Sequence, residues 1–253
     1  MVPVSPSSLP ITVSVVSHGH DAWLPPLLDD LAQAPAGLLH RVVVTHNLPA
    51  APLCTEGLPF ELLQIHNPTP LGFGANHNQA FAHAKTPFFA VLNPDMRLHD
   101  PGLWPQMLAA AQKPGVGAVT ATLLNTDGSV QDNQRALVTP WSLFCRRVLR
   151  RPERRVDWFS ASFLLLPAAA YRTLGGFDER YHMYCEDVDL CLRLQLAGLR
   201  LERSAASAQH HAQRDSLRRW RPLLWHVHSL LRLWCSVAFW RYQMQQLTGR
   251  GRR

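Results

Sequence analysis

Short apolar segments alternate with segments of helical periodicity in the first half of the chain, and this alternation restricts the fold most. The runs at 11–16 (ITVSVV) and 87–93 (PFFAVLN) predict strands. Between them, apolar residues recur at helical spacing at Trp23, Leu24, Leu27, Leu28 and Leu31. Strands without polar alternation are typical of parallel sheets that helices cover on both faces. The pattern therefore predicts an α/β domain assembled from βαβ units.

The rest of the chain adds elements of both kinds and one interruption. Further strands are predicted at 42–45, 60–65 and 115–122, and further helices at 103–112 and from Glu186 onward. The Asp-Gly pair at 127–128 suits a hairpin turn. Residues 135–156 break the pattern, and within 146–155 six arginines stand against one glutamate. We expect a mobile or partner-facing insertion there.

The composition is that of a globular protein whose charge is unevenly distributed. Of 253 residues, 47% are apolar and 17% charged, enough for a sizeable core in one large or two small domains. The net charge of +7 divides into −2 for residues 1–199 and +9 for residues 200–253. The body is thus nearly neutral and the tail basic. Because no nucleic-acid-binding motif accompanies the charge, we expect no nucleic-acid partner.

Cysteine usage and the N-terminus favour a cytoplasmic setting. The five cysteines are odd in number and form no CxxC pair, which argues against a disulfide framework or a thiolate zinc site. Residues 1–10 lack the basic start and apolar run of a signal peptide, so we interpret them as a loose leader. The sequence contains no uncharged apolar stretch of about 18 residues, so we expect no membrane span.

A carboxylate follows one of the predicted strands at the place where α/β sheets bind ligands. Asp95 comes shortly after the run FFAVL, beside Asn93 and Pro94, and ligand sites collect at the carboxyl ends of such strands. A carboxylate there suits Mg²⁺ or Mn²⁺ that carries substrate phosphates. The alternative is a simple turn or helix cap, which Asn-Pro-Asp also forms well.

Two adjacent carboxylates, Glu186 and Asp187, begin a predicted helix next to an aromatic-rich loop. Neighbouring helical residues point about 100° apart, so the two side chains cannot share one task. A carboxylate near a helix N-terminus stays ionised, as a general base requires. The alternative is ordinary capping of the helix.

A histidine pair completes the set of candidate residues. His210 and His211 follow a run of small residues, and either imidazole could bind the same metal as Asp95. The motifs HExxH, GxxxxGK[ST] and GxGxxG are all absent from the sequence. A zinc protease and the common nucleotide-binding loops are therefore not indicated.

The order of these pieces resembles the family-2 glycosyltransferases of the GT-A type. The resemblance rests on the βαβ half, the NPD at 93–95, VDWFSASFLLL at 156–166, GGFDERYHMYCEDVDLCLRL at 175–194 and the terminal His pair. It covers about residues 11–216 and is strongest to a bacterial rhamnosyltransferase-like subgroup. It implies a nucleotide-diphospho-sugar transferase domain with a mixed, Rossmann-like sheet flanked by helices, followed by a basic amphipathic helical tail at 217–253.

The resemblance also implies residue roles. Asp95 would hold the divalent cation, Mg²⁺ or Mn²⁺, that bridges the donor diphosphate, with Asn93 near the ribose. Asp187 would be the general base of an inverting transfer, with Glu186 in support. His210 or His211 would complete the metal or diphosphate site.

The segments expected around the donor depart in part from the family pattern. The chain has Ser-His-Gly at 17–19 where relatives usually have Thr-Tyr-Asn, and His-Asn at 46–47 where they have Asp-Asn. A histidine can still stack on a base or hydrogen-bond to it, but the donor is left open. The residues that we assign to the donor pocket are Ser17, His18, His46, Asn47, Gly72, Asn76 and Asn93.

The basic tail has amphipathic character. Across 217–241 one helical stripe carries Trp220, Leu223, Leu224, Val227, Leu231, Trp234 and Ala238. A helix rich in Trp and Arg suits the surface of an anionic membrane, which would make the protein peripheral on the inner face of the cytoplasmic membrane. The alternative is a helix that packs on the domain and leaves a basic face in water.

These features predict an enzyme that moves a sugar from a nucleotide-diphosphate donor to a hydroxyl group. The resemblance gives rhamnose as one candidate for the sugar and leaves the donor open. The acceptor that it implies is a growing cell-surface glycan, such as O-antigen, or a lipid-linked acceptor. The alternative is a catalytically idle relative that binds a nucleotide sugar or scaffolds a glycan-assembly complex. The departures at 17–19 and 46 motivate that alternative, and the retention of Asp95, Glu186 and Asp187 argues against it.

Overall fold

A mixed sheet of eight described strands forms the centre of the computed structural model, which describes residues 10–147, 149, 155–211 and 220–249. The leader at 1–9 and most of the arginine-rich stretch lie outside the described residues. In chain order the strands are β1 (Ile11–Ser17), β2 (Leu39–His46), β3 (Glu61–His66), β4 (Phe88–Leu92), β5 (Met96–Arg97), β6 (Val116–Leu124), β7 (Gln134–Arg135), β8 (Trp158–Phe159), β9 (Phe163–Pro167) and β10 (Arg200–His210).

Two parallel blocks make up the sheet, and one antiparallel strand joins them. The strand order is β3-β2-β1-β4-β9-β6-β10-β5, while β7 and β8 pair with each other separately. The block β3-β2-β1-β4 is parallel throughout, and so is the pair of β6 and β10. Strand β9 runs antiparallel to both β4 and β6. The α/β prediction is therefore confirmed.

Helices cover both faces of the sheet. They are the 3-10 turn η1 (Asp21–Trp23) and α1 (Leu24–Ala32), α2 (Phe73–Phe81), α3 (Leu103–Ala111), α4 (Pro140–Arg147), α5 (Ala168–Thr173), α6 (Glu186–Leu196), α7 (Trp220–Trp234) and α8 (Val237–Leu247). One apolar core packs α1 and α3 against the sheet. A second core packs α2, α5, α6 and the last two helices against the opposite face. This double coverage explains why the central strands are apolar without alternation.

The described part of the predicted insertion at 135–156 contains regular structure. The Gln134–Arg135 strand pairs with Trp158–Phe159, and α4 follows at Pro140–Arg147. The aromatic rings of Trp141 and Phe144 on α4 stack on each other and are exposed. The Asp-Gly turn forms as predicted, since Leu124 and Val130 make an antiparallel bridge across it.

The predicted tail is two helices that pack on the domain through one face. Leu233, Phe239 and Tyr242 are buried in the second core, and the Tyr242 hydroxyl donates a hydrogen bond to Asp157 at 2.8 Å. The single stripe predicted across 217–241 is interrupted at Ser236, whose hydroxyl caps α8 by accepting a hydrogen bond from the Phe239 N–H. Among the described residues, no helix is both long and apolar enough to span a membrane.

Candidate functional site

The ends of the parallel strands bring several of the predicted donor residues to one edge of the sheet. Ser17 pairs with His46 across β1 and β2, and His46 pairs with His66 across β2 and β3. On the other side of β1, strand β4 ends at Leu92. Asn93 and Asp95 therefore follow at the same edge, where open α/β sheets bind ligands.

Asp95 lies against His210, which the second parallel block supplies. The antiparallel pairing of His210 with Met96 puts the histidine next to Asp95, and Nε2 of the imidazole lies 3.3 Å from Oδ1 of the carboxylate. Both residues are buried. Burial alone would raise the pKa of Asp95, but the hydrogen bond and charge of His210 outweigh burial and lower it. Asp95 is thus held as a carboxylate.

The two histidines of the predicted pair have different surroundings. The Nδ1 atom of His210 lies 2.6 Å from Oε1 of Gln131, so the imidazole is held between an amide and a carboxylate. The His211 ring instead packs against Trp23, with ring centroids 4.9 Å apart, and only its backbone N–H contacts the Asp95 carbonyl. The two histidines line a cleft of about 280 Å³ together with Trp23, Asn125 and Thr126.

The pair of Asp95 and His210 has the chemistry of a divalent-cation site that the substrate completes. A carboxylate oxygen binds Mg²⁺ or Mn²⁺, and an imidazole nitrogen beside it suits Mn²⁺ better than Mg²⁺. Such sites commonly use one or two protein ligands plus phosphate oxygens and water. Within the described residues, no group of three or more His, Cys, Asp or Glu side chains could hold a metal alone. The residues present therefore fit a cation that arrives with a diphosphate.

The two carboxylates at the start of α6 have different environments. Both oxygens of Asp187 accept backbone hydrogen bonds, Oδ1 from Val188 at 2.8 Å and Oδ2 from Ala161 at 3.3 Å. Glu186 is 5% exposed, and its Oε2 has no hydrogen-bond partner among the described residues. The sequence leads us to expect that the helix start keeps the base ionised. In the structure burial outweighs this effect and raises the pKa of both carboxyl groups.

A short loop connects the two halves of the candidate site. The Ala161 N–H reaches Asp187, and the neighbouring Ser162 carbonyl accepts a hydrogen bond from the Asn93 N–H at 2.9 Å. The backbone of two consecutive residues, Ala161 and Ser162, therefore fixes the distance between the Asn93–Asp95 segment and the candidate base. This loop lies within the 156–166 segment that carries the family resemblance, and no local sequence signal indicates its role.

A network of asparagine amides shapes the donor side of the site. The Asn47 side chain accepts hydrogen bonds from Asn67 and from the Leu71 N–H, and its own Nδ2 donates to Nδ1 of His18. Asn67 also donates to Asn76 at 2.6 Å. Asn76 is fully buried, and its Nδ2 donates to the Leu71 and Gly72 carbonyls. Its amide therefore holds the 71–72 turn instead of facing the cleft.

Gly72 is required by a close backbone approach. A Cβ atom added there would lie 2.8 Å from the His182 carbonyl oxygen, which is too close for any side chain. The adjacent Phe73 N–H donates a hydrogen bond to the same carbonyl at 2.9 Å. Residues 72–73 are thereby fastened to the loop that precedes Glu186.

Ser17 and His46 are both buried at the strand ends. The Ser17 hydroxyl donates to Asp21 and accepts a hydrogen bond from the His20 N–H, so it organises the turn after β1. His46 stacks on His66 with ring centroids 4.5 Å apart and lies 3.2 Å from the Gln64 amide. Burial, as the largest effect, lowers the pKa of His46 and keeps the ring neutral at pH 7. His66 is not among the residues predicted from the sequence, although the parallel register of β2 and β3 places it beside His46.

The two residues in front of Glu186 have an unusual backbone conformation. Tyr184 and Cys185 have φ angles of 72° and 66°, in the left-handed region that residues other than glycine rarely adopt. Such residues cost about 1–3 kcal/mol each and persist only where their surroundings hold them. Neither residue is of a type that signals this conformation, so the sequence contained no indication of it.

Comparison with known proteins identifies the family. Residues 53–173, which include Asp95, match the family described as Glycosyl transferase family 2. The chain is 27% identical to Rhamnosyltransferase WbbL of Escherichia coli over 88% of this chain and 91% of the relative. The chain is a glycosyltransferase, and the match at residues 53–173 is to a family-2 domain.

Two further comparisons concern a part of the chain and its fold. An N-acetylglucosaminyl-diphospho-decaprenol L-rhamnosyltransferase of Mycobacterium tuberculosis is 37% identical over 141 residues, which is 48% of this glycosyltransferase and 46% of the relative. The mannosyltransferase PcManGT from Pyrobaculum calidifontis, solved in complex with GDP-Man and Mn²⁺, superimposes with a TM-score of 0.60 at 17% identity, over 91% of this chain and 67% of that one. The latter likeness shows the GT-A fold.

Replacing Glu186 with Gln should stabilise the folded chain more at pH 8 than at pH 5. Unfolded Glu titrates near about 4.3, whereas the pKa of Glu186 in the folded chain is raised by burial and by the neighbouring Asp187. The folded state therefore binds more protons above the unfolded pKa, and stability falls as pH rises towards the folded pKa. Glutamine removes this loss because it does not ionise.

Urea unfolding of the wild type and the Glu186→Gln variant at both pH values measures the difference. Glu56→Gln, at an exposed position, is the matched control and should change stability equally at both. An equal gain at pH 5 and pH 8 for Glu186→Gln would contradict the predicted burial of a titrating carboxyl group.

Proposed function

We propose that this glycosyltransferase transfers a sugar, rhamnose by similarity, from a nucleotide-diphosphate donor to a hydroxyl group with inversion at the anomeric carbon. The proposed acceptor is a growing cell-surface glycan or a lipid-linked sugar. The names of the two rhamnosyltransferase relatives support this choice, and one of them specifies a sugar diphosphate on a polyprenol. The main structural support is the 161–162 loop, which joins the Asn93–Asp95 segment to Asp187.

Asp187 is proposed as the general base. Its carboxylate would take the proton of the acceptor hydroxyl while the hydroxyl oxygen forms a bond to the anomeric carbon, and the bond from that carbon to the donor diphosphate breaks on the opposite face. The Ala161 and Val188 N–H groups orient the carboxylate. Because burial raises its pKa, Asp187 is a stronger base than an exposed aspartate and is better matched to neutral pH.

Asp95 and His210 are proposed to hold the divalent cation together with the donor diphosphate. When bound, the cation would neutralise negative charge on the departing diphosphate as a Lewis acid. The lowered pKa of Asp95 keeps that carboxylate ionised. Asn93 lies within 3.4 Å of His210 and would complete the polar wall near the donor ribose.

Replacing Asp187 with Asn should lower kcat by about 10²–10⁴-fold and leave donor binding nearly intact, because the amide keeps the shape but cannot accept a proton. Transfer assays and donor-induced thermal shifts measure the two effects separately. Asp178→Asn is the control, since Asp178 pairs with Arg180 and should leave kcat near the wild-type value. Unchanged turnover in Asp187→Asn would reject Asp187 as the base. Because such a result requires turnover, it would also reject the alternative of a catalytically idle relative.

A panel of nucleotide sugars, tested with and without Mn²⁺ by thermal shift, should identify the donor and the ligands of the cation. The Mn²⁺-dependent part of the shift should be lost in Asp95→Asn and reduced in His210→Ala, because these two side chains face each other. It should persist in His211→Ala, which retains the backbone contact to Asp95. A full Mn²⁺-dependent shift in Asp95→Asn would contradict the proposed cation site.

The tail is proposed to dock the enzyme on the anionic inner face of the cytoplasmic membrane, where lipid-linked acceptors are presented. Four residues of the predicted apolar stripe are exposed, with Leu223, Leu224, Val227 and Leu231 each between 47% and 57% exposed. On α8, the outward residues Trp240, Met244 and Leu247 are also exposed. Residues 216–253 contain eight arginines and no acidic residue, which complements anionic headgroups.

Vesicle co-sedimentation tests this docking. The wild type should pellet with vesicles that contain phosphatidylglycerol and less with pure phosphatidylcholine vesicles. The double variant Leu223→Glu/Leu231→Glu should bind at least about tenfold more weakly, because it replaces two leucines that would insert into the bilayer interface with charged side chains. Val130→Glu, at an apolar residue 70% exposed on the hairpin, is the control. Equal pelleting of the double variant would contradict the proposal. Point variants are preferable to truncation, since truncation would uncover the second core.

A further inference from the structure

The backbone segment that precedes the candidate base is held in place by contacts with other parts of the fold. The segment 182–185 leads directly into Glu186 and Asp187 and contains the two left-handed residues Tyr184 and Cys185. Cys185 precedes α6 as its N-cap residue, and its side chain provides no capping hydrogen bond. The conformation therefore depends on contacts that the segment makes with other elements.

One helix of the tail contacts each of the first three residues of this segment. The Trp225 ring packs against the His182 ring with centroids 4.8 Å apart, and the His226 ring packs against the Tyr184 ring at 4.9 Å. Between these contacts, the Ser229 hydroxyl donates a hydrogen bond to the Met183 carbonyl at 2.8 Å. Ser229 is 1% exposed, so water cannot readily replace this bond.

The opposite side of the segment is held by the donor region. The His182 carbonyl accepts a hydrogen bond from the Phe73 N–H, and Gly72 lies too close to His182 for a side chain. The segment is therefore clamped between the start of α2 and the inner face of α7. Neither element is close to the segment in sequence, and α7 belongs to the tail outside the segment that the sequence resemblance covers.

We propose that α7 is a positioning element for the catalytic base, and that Ser229 is the positioning residue at its centre. This inference rests on the proposed role of Asp187. Without the Ser229 bond the segment can relax towards ordinary φ angles, which turns the first residues of α6 and moves the carboxylate away from the acceptor hydroxyl. Proximity of reacting groups contributes steeply to rate, so a small displacement lowers kcat while the donor still binds. The tail thus has a function in catalysis that is separate from membrane docking.

The test compares variants of the full chain with the nucleotide sugar that gives the largest Mn²⁺-dependent thermal shift. The acceptor is an N-acetylglucosaminyl diphosphate on a short, water-soluble alkyl chain, and no vesicles are present. Ser229→Ala is expected to lower kcat about tenfold, with the donor KM and the donor-induced thermal shift unchanged. His226→Ala, which removes the contact to Tyr184, should lower kcat in the same way.

Ser236→Ala is the matched control, because it removes a partly buried tail hydrogen bond that caps α8 instead of one to the 182–185 segment. It should reduce thermal stability by an amount similar to Ser229→Ala and leave kcat near the wild-type value. A wild-type kcat in Ser229→Ala, or an equal loss of kcat in Ser236→Ala, would overturn the proposal. A wild-type kcat in Asp187→Asn would instead reject Asp187 as the proposed base, so the two failures are distinguishable.

Discussion

Burial of the sheet on both faces is the constraint on which the rest of this structure depends. With apolar cores on either side, the polar side chains of the candidate site lie at the strand ends, where the backbone leaves the sheet. In the parallel block these ends lie at one edge, which collects Ser17, His46, His66 and the Asn93–Asp95 segment. The antiparallel strand β9 then brings the 161–162 loop to the same edge and joins the second block to it.

Burial alone would raise the pKa of each carboxyl group in the site, and the neighbouring groups decide the net direction. Asp95 has His210 as a partner, so its pKa is lowered and its charge is retained. Asp187 accepts hydrogen bonds from backbone N–H groups, and the Oε2 atom of Glu186 has no hydrogen-bond partner among the described residues, so burial raises the pKa of both carboxyl groups. A carboxylate that stays charged suits a cation, and one with a raised pKa suits proton transfer at neutral pH. Environment, rather than residue type, separates the two roles.

The tail combines two surfaces that the sequence presented as alternatives. Its inner face packs on the domain through Leu233, Phe239 and Tyr242, and its outer face exposes the leucines of the predicted stripe. An amphipathic pattern alone cannot say which environment an apolar face meets, because a protein core and a lipid interface both favour it. Packing on the domain was therefore correctly considered: Trp234 of the predicted stripe packs against the second core, whereas the leucines of the stripe are exposed.

The sequence by itself determined the α/β class, most strand and helix positions in the first half, and the family, because apolar periodicity and local motifs are properties of short segments. It also pointed to Asp95, Glu186 and Asp187. Only the tertiary structure distinguished His210 from His211, showed that Asn76 and Gly72 hold the donor loop, and revealed the left-handed residues before the base. These features depend on contacts between residues distant along the chain, such as His210 with Asp95 and Ser229 with Met183. Strand pairing and helix packing create those contacts, and a single sequence does not record them.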